Sequence, residues 1–83
     1  MTIYIVDNYA NEPALQAYKT LDGAKLGLLE QYTKGCLPRM VDCIKGGEST
    51  NETLDSIQED LHTILAHGFV EDFAYIHECE LEE

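Results

Sequence analysis

Residues 49–68 read Ser-Thr-Asn-Glu-Thr-Leu-Asp-Ser-Ile-Gln-Glu-Asp-Leu-His-Thr-Ile-Leu-Ala-His-Gly. Apolar side chains recur at Leu54, Ile57, Leu61, Ile64 and Leu65, the spacing of one helix face. Ser49 stands three residues before Glu52, the pattern of a capping box. Gly68 follows His67 and suits the left-handed conformation that closes a helix. The opposite face holds Glu52, Asp55, Glu59 and Asp60 with no basic residue beside them. This stretch is therefore expected to be an amphipathic helix that turns its apolar stripe to a core and its carboxylates to solvent.

Working back toward the start, Thr2 to Val6 is β-branched and aromatic and reads as a strand. Asp7, Asn8, Asn11, Glu12 and Pro13 are turn formers, expected to connect it to a second strand over 14–19. Thr20 is placed to cap a helix, with Asp22 in the first turn where the helix dipole favours negative charge. Leu21, Ala24, Leu28 and Tyr32 mark the face expected to be buried, with Leu29 at its margin. Gly23 and Gly27 either weaken this helix or admit a closely packed neighbour. Gly35 is expected to stop it. Pro38 then suits the first turn of a short separate helix over 36–47, with Leu37, Met40, Val41 and Ile44 on one face. One kinked helix over 21–45 is the alternative.

Beyond residue 68, Phe69 and Val70 are apolar, and Glu71-Asp72 turns the chain. Phe73 to Leu81 is expected to be the final strand. It would carry Phe73, Tyr75, His77, Cys79 and Leu81 on one face and Ala74, Ile76, Glu78 and Glu80 on the other. Glu82 and Glu83 form a charged end. The sum is one α+β domain spanning 1–83, ββαααβ, a three-stranded antiparallel sheet in the order 2-1-3 with helices packed on one face. So small a sheet leaves edges and one face open, where a partner or a second copy can sit.

Sixteen Asp and Glu against five Lys and Arg give a formal net charge of −11. The charge is partitioned. Residues 1–45 hold five acids and five bases, whereas residues 46–83 hold eleven carboxylates and neither Lys nor Arg. Such a charge repels nucleic acid and anionic membranes, so neither is expected as a direct partner. A basic protein surface is. The competing reading is a solubilising face.

Cys36, Cys43 and Cys79 form no C-x-x-C pair, and His77 and Cys79 lack partners at zinc-finger spacing, so no metal site or cofactor is expected. Cysteine catalysis would need an orienting group and an oxyanion hole that no motif marks. Acid pairs such as Glu59-Asp60 and Glu71-Asp72 come without a phosphate loop or a calcium loop. No catalytic residue is assigned. The opening residues show no basic leader and nothing approaches a membrane span, so a soluble, reducing, cytoplasmic setting with free thiols is expected.

With its Ile-Tyr-Ile-Val opening strand, its Tyr-Lys-Thr-Leu-Asp-Gly-Ala-Lys strand-to-helix junction and its acidic C-terminal half, the chain resembles the small acidic accessory proteins of bacteriophages and mobile elements. That group includes anti-CRISPR proteins and other DNA mimics. The resemblance implies a non-enzymatic viral inhibitor, active in the host cytoplasm, that binds a host nucleic-acid-binding defence protein such as a CRISPR effector. The partner-binding residues expected on electrostatic grounds are Glu52, Asp55, Glu59, Asp60, Glu71, Asp72, Tyr75, Glu78 and Glu80. On a helix Glu52, Asp55 and Glu59 would climb by about 4.5 and then about 6 Å. On a strand Glu78 and Glu80 would repeat about every 6.8 Å. Phosphates of one DNA strand advance about 3.4 Å each, so both rows approximate alternate phosphates. The alternative function is a small assembly module that pairs through its sheet, with a homodimer through the sheet edge or open face.

Overall fold

The β-branched and aromatic opening forms strand β1 (Thr2–Asn8), and a computed structural model describes residues 1–9 and 15–81 around it. Among the described residues, strand β1 is the second of four antiparallel strands. It pairs on one side with β2 (Leu15–Tyr18) and on the other with β4 (Ala74–Glu80), which in turn pairs with β3 (Phe69–Val70), giving the order β2-β1-β4-β3. Between β2 and β3 the chain forms two helices, α1 (Leu21–Lys45) and α2 (Thr50–His67). The α+β class is as expected, but the order is ββααββ, with a fourth strand gained and one helix fewer.

The missing helix is a fusion. Helix α1 runs through both Gly35 and Pro38, so the single-helix alternative is the structure's arrangement. A helical Gly costs about 1 kcal/mol and an interior Pro about 3 kcal/mol. Leu28, Tyr32, Cys36 and Met40 recur every four residues and all join or pack against the core, which outweighs those costs. The caps form at both helix starts. Thr20 accepts from the Gly23 amide at 3.0 Å and Ser49 accepts from the Glu52 amide at 3.4 Å. Gly68, at φ 72°, closes α2 in the left-handed region and donates its amide to Ile64 and Thr63 carbonyls.

The extra strand and the altered last strand share one cause. Asp72 adopts φ 61°, and residues 71–73 form a tight turn. The turn folds Phe69–Val70 back onto β4, with Phe69 opposite Tyr75 and Val70 opposite Ala74. It also takes Phe73 off the expected strand face and into the core, 3% exposed, edge-on to Tyr32. Asp7 and Asn8, expected in a turn, belong to β1 and pair with Tyr75 and Ala74. The expected turn residues Asn11, Glu12 and Pro13, residue 14 of the second strand, and the charged end Glu82-Glu83 lie outside the described residues.

The helices cover one face of the sheet. Val6 and Ala74 on that face are fully buried with Ala24, Leu28 and Tyr32 of α1 and Ile64 of α2. Asn8, 3% exposed, donates from its side-chain amide to Gln31 on α1 at 2.6 Å, holding the helix over the strand. Leu21, expected inside, is 40% exposed, and on α2 Leu54 and Leu65 are 52% and 64% exposed. The apolar stripe of α2 is wider than the contact available to it: one layer of helices has the sheet on one side and solvent on the other. Helix α1 alone is about 37 Å long, and the molecule measures 53 × 24 × 16 Å. The distal half of the helical hairpin reaches past the sheet. No residue between 33 and 63 is fully buried.

Candidate protein-binding surface

Two clefts run end to end along one flank of α2. The first, of about 430 Å³, lies at the helix–helix turn and is lined by Met40 and Cys43 from α1 and by Glu48, Ser49, Glu52 and Ser56. The second, of about 290 Å³, is lined by Ser56, Glu59, Asp60 and Thr63 from α2, by Phe69 from β3 and by Glu71 from the following turn. Ser56 is common to both. The left-handed Gly68 reverses the chain at the end of α2, and β3 then carries Glu71 back beside Glu59 and Asp60. Carboxylates far apart in sequence therefore join one strip, from Glu48 at the hairpin tip to Glu71 at the sheet.

Glu48, Glu52, Glu59 and Glu71 are exposed, and among the described residues none of them forms an ion pair. Asp55 is exposed on α2, one turn from Glu52 and Glu59, and Asp72 is exposed in the turn. Asp60 differs. Its carboxylate accepts from the Tyr32 hydroxyl at 2.8 Å and is half-buried, so it is committed to joining the helices. Burial, followed by this hydrogen bond and the nearby charge, pushes the Tyr32 phenol well above its ordinary value.

The remaining expected residues lie elsewhere. Glu78 and Glu80 stand opposite Tyr4 and Thr2, toward the other end of β4 from Glu71. Glu80 is engaged there: it accepts from Thr2 at 2.6 Å and from the N-terminal ammonium at 3.1 Å, and these contacts hold its carboxyl below the usual range. The expected phosphate-like rows on α2 and β4 thus do not form one track. Tyr75 lies on the face of the sheet away from the helices, across from Asp7.

That open face carries Ile3, Ile5, Asp7, Leu15, Ala17, Tyr75, His77 and Cys79, the set that alternates with the buried Val6 and Ala74. Its aromatic end is built by contacts invisible in the linear order. Tyr75 stacks on Phe69 with centroids 5.3 Å apart and planes 10° from parallel, and Tyr9 meets Tyr75 at 5.6 Å. Phe69 belongs to this row and also lines the acidic cleft. Partial desolvation, followed by the nearby Asp7 charge, raises the Tyr9 phenol. Sequence reasoning missed Glu48, Asp7 and Phe69. Glu48 was readable as part of the acidic half; Phe69 was not, because a two-residue strand carries no period.

Among the described residues no three His, Cys, Asp or Glu side chains converge as a metal site, and no helix is long and apolar enough to cross a membrane. Cys36, Cys43 and Cys79 are unbridged. The chain matches no protein-family model, no curated protein and no solved structure.

Proposed function

We propose that this protein is a non-enzymatic inhibitor that seats the acidic flank of α2 on a basic, nucleic-acid-binding surface of another protein. The observation that carries the reading is the strip of unpaired carboxylates Glu48, Glu52, Glu59 and Glu71 along one flank, with no Lys or Arg after residue 45. Side chains that leave so many like charges unneutralised destabilise their own fold. A cationic partner would convert that cost into attraction and fast, salt-sensitive association. The resemblance to phage and mobile-element accessory proteins fits a host defence protein, such as a CRISPR effector, as the target.

The test is capture of the partner followed by competition with DNA or RNA. A variant carrying Glu52→Gln, Asp55→Asn, Glu59→Gln and Glu71→Gln is expected to lose binding while melting no lower than the wild type. Asp60 is left intact because it holds Tyr32. Undiminished binding by this variant, with no competition from nucleic acid, would reject the reading.

A second reading, self-assembly through the sheet, draws on Ile3, Ile5, Ala17 and Cys79 on the open face. The charge of −11 on each copy opposes it. Sedimentation at rising salt separates the two, since screening would favour self-association and weaken a basic complex.

A further inference from the structure

We propose that the aromatic row Tyr9–Tyr75–Phe69 is an arginine-recognition element, taking guanidinium groups of a basic partner whose remaining cations lie on the α2 flank. The inference rests on the acidic-flank reading and assigns it a residue preference.

Three observations converge on arginine. The first is exposed ring surface. Tyr9 is 57% exposed and tilted 55° to Tyr75, while Tyr75 and Phe69, stacked on each other with His67 6.2 Å from Phe69, are half-buried. A guanidinium is planar, weakly hydrated and stacks on such faces. The second is a carboxylate at each end of the row. Asp7 is the cross-strand neighbour of Tyr75 and lies near Tyr9, and Glu59 and Glu71 share a cleft with Phe69. A stacked guanidinium can thus donate to a carboxylate at its edge. The third is the sign of the surroundings. Among the described residues His77 faces Asp7, its Nε2 3.6 Å away, and no Lys or Arg lies on β3 or β4 to fill the site from within the chain.

Charge decides between occupants. A second copy would bring another −11 to the same face, and a neutral apolar partner would leave Glu59 and Glu71 without a counter-charge. A lysine surface would satisfy the carboxylates but would use the ring faces poorly, since a compact ammonium holds its water more tightly. The row therefore favours arginine over lysine at equal charge.

The test titrates the protein with acetylated nona-arginine and nona-lysine peptides at low salt, reading affinity by calorimetry and location by NMR. Nona-arginine is expected to bind about three- to tenfold tighter, in line with a few stacked cations. The ring protons of Tyr9, Tyr75 and Phe69 should shift with it. Tyr75→Leu and Phe69→Leu keep apolar bulk and are expected to bring the arginine affinity down to the lysine value, leaving the lysine affinity unchanged. Should either variant unfold, the ring shifts of the wild-type protein decide alone. Equal affinities with shifts confined to α2 would overturn this inference and leave the acidic flank standing. No binding of either peptide would overturn both. Ring shifts that depend on protein concentration without peptide would assign the face to a second copy and overturn the arginine assignment.

Discussion

The Tyr32 hydroxyl donates to Asp60 across 2.8 Å and so ties α1 to α2 at the edge of the core. Tyr32 is 1% exposed, and its ring meets Phe73 edge-on at 6.4 Å. Removing the hydroxyl by Tyr32→Phe keeps this packing and, because the lost acceptor is a carboxylate, is expected to cost about 1.5–3 kcal/mol. Tyr32→Ala removes the ring as well and should cost about 3–5 kcal/mol. Urea melts of the two variants measure the difference.

The same contact has a pH signature. The folded state holds the phenol above its value in the unfolded chain, ordinarily about 10. A group raised in this way contributes stability that is fully present below the unfolded value and is lost as pH rises through the folded one. Wild-type stability should therefore fall on the alkaline side of about pH 10, and Tyr32→Phe should remove this component of the slope. Denaturation midpoints across the alkaline range check it. An unchanged slope in the variant would show that other tyrosines and lysines carry the alkaline transition.

On α2 the periodic stripe divides into a buried anchor and an exposed margin. Ile64 is fully buried against the sheet, whereas Leu65 beside it is 64% exposed. Ile64→Ala is expected to cost about 2–5 kcal/mol, and Leu65→Ala to stay within about 0.5 kcal/mol. Equal losses would mean that something covers the outer side of the helix in solution.

This division explains what could be read in the sequence and what could not. Caps are local, so Thr20, Ser49 and Gly68 announced both helix starts and the end of α2. Alternation is also local, and it separated Tyr75, His77 and Cys79 from Ala74 and Ile76 correctly. How much of a stripe is covered depends on the number of layers above it, which periodicity does not state; hence Leu54 and Leu65. Gly35 and Pro38 are local breakers overruled by the four-residue repeat from Leu28 to Met40. At the candidate site, the acidity of α2 was plain, but the meeting of Glu71 with Glu59 depends on the chain reversal at Gly68 and the two-residue strand after it. The separation of Glu78 and Glu80 from that flank follows from the direction of β4.

Gly27 shows a backbone requirement that only tertiary contact creates. A Cβ there would overlap the ring and hydroxyl of Tyr18, whose hydroxyl donates to Gln16 at 2.8 Å. Gly27→Ala alone sets a helix-propensity gain of about 1 kcal/mol against displacement of that ring, and the two should nearly cancel. In a Tyr18→Ala background the clash is gone, so adding Gly27→Ala should stabilise by about 1 kcal/mol. A double-mutant cycle reads the coupling. Identical effects of Gly27→Ala in both backgrounds would place the Tyr18 ring elsewhere in solution.

The acidic flank has a consequence that needs no partner. Helix α2 carries Glu52, Asp55, Glu59 and Asp60 and no Lys or Arg, and Glu71 adds a fifth carboxylate beside Glu59. Exposed like charges repel over distances that salt shortens, from about 30 Å at 0.01 M to about 8 Å at 0.15 M ionic strength. Raising NaCl through that range is therefore expected to raise the melting temperature. Glu59→Gln should raise it at low salt, because one neighbour of Glu71 and Asp55 loses its charge, and the gain should shrink as salt is added. Asp60→Asn should not follow this pattern: its carboxylate accepts from Tyr32, so neutralising it weakens a contact at every salt concentration. Calorimetric scans of the wild type and the two variants at both ends of the salt range measure this. A melting temperature that is flat in salt, or equal responses of Glu59→Gln and Asp60→Asn, would show that the flank carries no self-repulsion for a cationic partner to relieve.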